Sequence, residues 1–152
     1  DELVLNMKIP ILGICVGMQM MAKSSEEGER EGLGWIDGKV KKFEQNLDNL
    51  KINSENKNST KRKRDLALPH MGWNNLEIIQ QNKILNNIDS QIFYFLHSFY
   101  FKTQNKDYVI AQTNYSINFC SIFKKDNIYG VQFHPEKSHN DGINLLLNFY
   151  NI

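Results

Sequence analysis

The feature that most constrains this chain is a short apolar run, Pro10 to Cys15 (PILGIC), which stops at glycines and passes straight into Val16-Gly17-Met18-Gln19. Its pattern predicts a buried strand feeding a tight turn, with a helix over Met18 to Lys23. A strand that turns at once into a helix closes only if little bulk stands two residues before and two residues after the turn. Gly13 and Gly17 hold those places around Cys15. The junction therefore has the form of a nucleophile elbow with cysteine at its tip. Amide groups at the helix start point towards such a side chain and favour its thiolate, and the Val16 N–H is placed to donate to an oxyanion. Taken alone, the pattern suits a buried structural cysteine beside packing glycines equally well.

A second cluster lies far downstream, Gln132-Phe133-His134-Pro135-Glu136, at the end of a run from Ile128 to Phe133 that reads as a strand. Active sites of parallel sheets collect at the carboxyl ends of their strands. There His134 has the chemistry of a general base, Glu136 can orient its imidazole, and Pro135 fixes the turn between them. Between the two clusters, strands are predicted over Gly38 to Phe43, Asn75 to Ile79, Gln91 to Leu96, Tyr108 to Thr113 and Phe119 to Phe123. Ser24 to Gly32 reads as a charged loop. Gly142 to Tyr150 reads as an amphipathic helix with Ile143, Leu146, Leu147 and Tyr150 spaced about one turn apart. Residues 45–65, rich in Asn, Lys and Ser, cannot bury their own backbone and read as a solvated loop, and its Lys61-Arg62-Lys63-Arg64 run as a solvated charge cluster.

Composition narrows the classes of function. A chain of 152 residues with 41% hydrophobic side chains has the size of one globular domain. Its 18 Lys and Arg against 17 Asp and Glu leave a net charge of +1, so no basic field points to nucleic acid. The longest apolar stretch, Ile11 to Ala22, is interrupted by glycines and falls short of the roughly 20 residues a membrane span needs. Two cysteines, with no leader ahead of them, suit a reducing compartment, with the cytoplasm as the default. Cys120, in a predicted strand, reads as a small core residue, and His70 and His97 as hydrogen-bonded structural histidines. Neither cluster calls for a metal or a cofactor.

Together the motifs resemble the class I, triad-type glutamine amidotransferases. Gly13-Ile14-Cys15-Val16-Gly17-Met18-Gln19 is similar to their GxCxGxQ motif, and His134-Pro135-Glu136 to their acid–base motif. Leu68 to Asn74 (LPHMGWN), Phe93 to Tyr100 (FYFLHSFY) and Tyr129 to Ser138 (YGVQFHPEKS) resemble, in the same order, those members that act as glutaminase subunits of imidazole glycerol phosphate synthase. The resemblance covers residues 1–152 apart from the Asn-rich loop. It implies an α/β, flavodoxin-like fold with a mixed, mostly parallel sheet and flanking helices.

The same resemblance implies a chemistry. Cys15 attacks the carboxamide of L-glutamine, His134 and Glu136 complete a triad, and the Val16 N–H serves the oxyanion. Gln19 contacts bound glutamine, with main-chain groups of Ser98 and Phe99 lining its pocket. Trp73, Asn74, Tyr94 and Lys137 face a barrel-shaped cyclase or synthase that receives ammonia within a heterodimer. Gly32 to Phe43 and Glu136 to Gly142 look more like paralogous subunits that serve sugar amidotransferases in surface-polysaccharide synthesis, which is the alternative partner. The Pro-Gly-x-Gly loop that gives the family its second oxyanion donor has no match among the 14 residues before Cys15. A C-terminal portion of a longer subunit, lacking its first strands and with little activity of its own, is therefore expected, and a non-catalytic docking subunit is the rival reading.

Overall fold

The computed structural model describes residues 1–44 and 66–152. The predicted solvated loop, 45–65, and its basic run lie outside the described residues. A short helical turn, Glu2–Asn6, precedes β1 (Ile11–Ile14) and the five-residue helix α1 (Val16–Met20). Next come β2 (Ser24–Ser25), β3 (Gly38–Lys42), β4 (His70–Asn75), β5 (Glu77–Ile78), β6 (Ile92–His97) and β7 (Phe99–Thr103). The chain ends with β8 (Val109–Tyr115), β9 (Ile117–Lys125), β10 (Ile128–Val131) and α2 (His139–Tyr150).

The main sheet has the order β1-β10-β9-β8-β5, and two smaller sheets pair β2-β3-β7 and β4-β6. The α/β class and the mixed sheet are as expected. The balance of pairing differs from a mostly parallel sheet, because among the described strands only β1–β10 and β2–β3 run parallel. The physical reason is local. β8, β9 and β10 follow one another through short turns, which force antiparallel neighbours, whereas β1 reaches β10 from the other end of the chain. That parallel pair positions the site, since Gly13 pairs with Gly130 and Ile14 with Val131, so both strands finish at the same edge.

Two apolar clusters hold the layers together. One contains Phe93, Phe95, Phe119, Phe133 and Leu145, and the other Met18, Ile36, Phe101 and Phe123, all essentially without solvent contact. In β6 the alternation of Phe93, Phe95 and His97 inward is the period of two that a half-buried strand shows. Among the described residues no helix is long and apolar enough to cross a membrane.

Several elements depart from their predicted bounds. The first helix begins at Val16 rather than Met18 and is over by Met21. The strand expected over Asn75 to Ile79 is instead β4, five residues earlier, followed by the two-residue β5. The predicted loop from Ser24 contains β2, a short rung on β3. No strand is predicted where β7 lies, and it pairs with β3 from Lys42–Phe99 to Gly38–Thr103.

The last helix starts at His139 and turns the other way. Ile143, Leu147 and Tyr150 are 56%, 53% and 85% exposed, while Asp141, Leu145 and Phe149 face inward. Apolar spacing could not choose between these stripes. The Asp141 carboxylate decides it by accepting hydrogen bonds from the Asp89 and Ser90 N–H groups, at 3.3 and 3.0 Å, which fixes the rotation of α2 and sets Leu145 into the core.

Candidate active site

The strand β1 ends one residue before Cys15, whose N–H donates to the Val131 carbonyl at 2.8 Å and so continues the β1–β10 ladder. The chain then turns sharply. Cys15 has φ 50° and ψ −108°, a left-handed conformation that costs a non-glycine residue ~1–3 kcal/mol and is met chiefly where a site over-determines it. The turn draws α1 so close that a Cβ at Gly13 would stand 2.7 Å from the backbone of Gly17 and Met18. Glycine is required at Gly13. A Cβ at Gly17 meets nothing within 4 Å, so the steric demand predicted there is absent.

The Cys15 sulfur is buried between three groups. It donates to the Leu96 carbonyl at 3.7 Å, accepts from Gln132 Nε2 at 3.7 Å, and lies against the Val16 N–H. Burial raises the thiol pKa above its ordinary value; the Val16 and Gln132 donors pull it back, and the Glu136 charge adds to the rise. The predicted thiolate preference is thus outweighed: the amide at the helix start acts in the expected direction, but desolvation is larger. At neutral pH the group is a thiol that needs a base.

β10 ends at Val131, and the chain runs on through Gln132 and Phe133 to His134. The His134 backbone N–H donates to the Tyr94 carbonyl, and the Ser138 hydroxyl donates to the His134 carbonyl, so the turn Pro135–Lys137 is pinned at both ends. His134 Nδ1 lies 2.7 Å from Glu136 Oε1. A carboxylate only accepts, so Nδ1 carries a proton and donates it to Glu136, which leaves Nε2 as the nitrogen open to the site. Nε2 is buried and has no hydrogen-bond partner among the described residues. An imidazole held by a carboxylate at one nitrogen, with the other buried and open at the same sheet edge as a thiol, has the form of a group that takes a proton and returns it.

Gln19 is buried, and its Nε2 donates to the Phe99 carbonyl and to Gln132 Oε1, both at 2.9 Å. The Phe99 carbonyl also lies 2.7 Å from His97 Nδ1, while the Ser98 carbonyl accepts the Phe43 N–H at 3.3 Å. The structure therefore brings Gln19 and Phe99 together beside Cys15, with the Gln19 amide nitrogen and both carbonyls engaged within the chain. His70 Nδ1 and His97 Nε2 are 3.0 Å apart, and burial lowers their pKa values to about 4 and about 3. Cys120 is buried, and desolvation pushes its thiol up to about 12.

Three of the four residues expected to face a partner share one surface. Trp73 and Tyr94 are cross-strand neighbours of β4 and β6 with ring centroids 5.8 Å apart, and Lys137 Nζ lies 5.7 Å above the Tyr94 ring. Trp73 is 48% exposed and stacks on His139 beside a groove of about 500 Å³. Asn74 is turned to its own chain, where Nδ2 bonds His70 Nε2 and the Asn114 carbonyl at 3.2 and 3.1 Å.

Residues 1–151 match the model of the family described as glutamine amidotransferase class-I. The chain belongs to the class I glutamine amidotransferases. The imidazole glycerol phosphate synthase subunit HisH of Leptospira interrogans is 48% identical to it over 150 residues, covering 98% of this chain and 67% of that subunit. The HisH subunit of Bdellovibrio bacteriovorus is 44% identical over 153 residues, covering 100% and 68%. The chain thus spans about two thirds of the length of these relatives. Among solved structures, a putative GMP synthase protein from Thermoplasma acidophilum superposes with TM-score 0.59 at 20% identity, over 93% of this chain and 56% of that one. A glutamine amidotransferase from Thermotoga maritima gives TM-score 0.57 at 17% identity, over 99% and 50%. Both likenesses support the amidotransferase fold.

Gln132 is the site residue that sequence reasoning leaves without a role. The signal is present: a carboxamide inside the apolar run Ile128 to Phe133 must be buried and must find partners.

Proposed function

We propose that this amidotransferase chain is the glutaminase part of imidazole glycerol phosphate synthase, acting through Cys15, His134 and Glu136. The observation that supports the chemistry is the His134–Glu136 pair, whose buried Nε2 has no partner among the described residues, on the segment that leaves β10 at the sheet edge where β1 delivers Cys15. His134 takes the Cys15 proton as the sulfur attacks the glutamine carboxamide carbon. The Val16 N–H stabilises the oxyanion, and the C–N bond breaks as His134 hands its proton to the departing ammonia. Water, deprotonated by the same imidazole, then attacks the glutamyl thioester, releasing glutamate and restoring the thiol.

Ammonia protonated in bulk water loses its nucleophilic lone pair, so a glutaminase of this kind needs a partner sealed over its exit. Trp73, Tyr94 and Lys137 form the face for a barrel-type cyclase, with Asn74 supporting that face from behind through His70. Gln19, Ser98 and Phe99 build the wall of the glutamine pocket. Residues 1–152 form one amidotransferase domain. The names of the relatives favour the histidine pathway over sugar amidation. Reconstitution decides between them: with amide-labelled glutamine, label is expected in the product of an imidazole glycerol phosphate cyclase. Label passing only to a sugar acceptor through a sugar amidotransferase would reverse the order.

A further inference from the structure

Gln132 has no solvent exposure, and burying a carboxamide without partners costs ~2–7 kcal/mol. Its partners are Gln19 and the sulfur of Cys15. The direction of these bonds follows from one fixed group. The Phe99 carbonyl can only accept, so Gln19 must turn its NH2 towards it, and that same NH2 supplies Gln132 Oε1. Gln132 is left with its own NH2 facing Cys15 Sγ. Flipping either amide sets oxygen against oxygen or N–H against N–H. The β1–β10 register completes the arrangement, because Cys15 and Gln132 directly follow the last paired rung, Ile14–Val131.

Two of the groups at the sulfur respond oppositely to its ionisation. The Leu96 carbonyl accepts from the thiol and repels a thiolate. The Gln132 N–H is a weak donor to a thiol and a charge-assisted one to a thiolate. Resting on the reading of Cys15 as the nucleophile, we infer that Gln132 is a further catalytic residue, stabilising the Cys15 thiolate as His134 removes its proton, and that Gln19 is a positioning residue that acts through Gln132.

The test is the pH dependence of iodoacetamide alkylation at Cys15, measured on the chain with and without its synthase partner, beside ammonia release from glutamine. For Gln132→Leu, the alkylation profile is expected to move up by about one pH unit. Its kcat is expected to fall about 10- to 100-fold, with KM within about threefold. Gln132→Glu, which sets an acceptor against the sulfur, is expected to move the profile further. Gln19→Met should shift it in the same direction by less, and it serves as the deciding variant if Gln132→Leu does not fold. Ammonium-driven synthesis by the partner should be retained throughout, as a readout of folding and docking. An unchanged alkylation profile in a folded Gln132→Leu, or failing that in Gln19→Met, overturns the inference. Absence of ammonia release from the unmodified chain with its partner overturns the glutaminase reading instead, while the alkylation profile still decides whether Gln132 stabilises the Cys15 thiolate.

Discussion

At Cys15, burial and hydrogen bonding act in opposite directions on one sulfur, and burial is the larger. On the proposed reading its reactivity depends on His134 as base and on the Val16 and Gln132 donors at the sulfur, whereas at Cys120 burial dominates. A glutamine-mimicking electrophile is expected to label Cys15 alone, faster as pH rises, and to leave Cys120 unmodified. Peptide mass spectrometry reads this directly, and preferential label on Cys120 contradicts it. The proposed nucleophile and the His134–Glu136 pair are legible in the sequence, because glycine spacing and a His-Pro-Glu turn are local facts. The state of the thiol is not, since the groups at the Cys15 sulfur include Leu96 of β6 and Gln132 just after β10, both far along the chain.

At the level of elements, β4 and β6 differ sharply between their two faces. On the inner side, His70 stacks on Tyr115 and Phe95 and bonds to His97, with both imidazoles neutral. Their folded pKa values, about 4 and about 3, lie below the ordinary value near 6.5. The unfolded chain therefore binds more protons below pH 6.5, and stability is lost as pH falls from there towards 4. The thermal midpoint should be level above pH 7 and drop between pH 6.5 and 4.5, with a shallower drop in a His70→Gln, His97→Gln variant. A midpoint that holds steady across that window contradicts this account.

On the outer side of the same strands, Trp73 stands exposed against Tyr94 and His139. Trp73→Ala is expected to weaken the synthase complex by ~2 kcal/mol or more while leaving the melting temperature of the free chain nearly unchanged. Titration calorimetry and thermal melts separate the two, and unfolding without a separable binding effect would favour a core role. Most strands are legible as alternating runs, β6 most clearly. The bounds of β4 are not, because Gly72 and the polar pair Asn74-Asn75 hide its period. The strand β7 is hidden for another reason: Phe99 and Tyr100 belong to the largely aromatic and apolar run that begins at Phe93, with only His97 and Ser98 between its two parts. In α2 two apolar stripes compete, and Asp141, a polar residue, settles which one faces in.

For the molecule as a whole, the decisive long-range fact is the parallel pairing of β1 with β10, which joins the first motif to the last across nearly the full chain. Sequence order shows both motifs but not the register that sets Cys15 beside Gln132 and leaves His134 at the same edge. That juxtaposition, with an imidazole held by Glu136 and free at Nε2, is the central claim about what the chain does. Its most direct test is ammonia release from glutamine by the chain assembled with its synthase partner, comparing the unmodified protein with Cys15→Ser. Release should vanish in the variant, while synthesis driven by added ammonium salts persists. Sustained ammonia release from Cys15→Ser would contradict the assignment of Cys15 as the nucleophile.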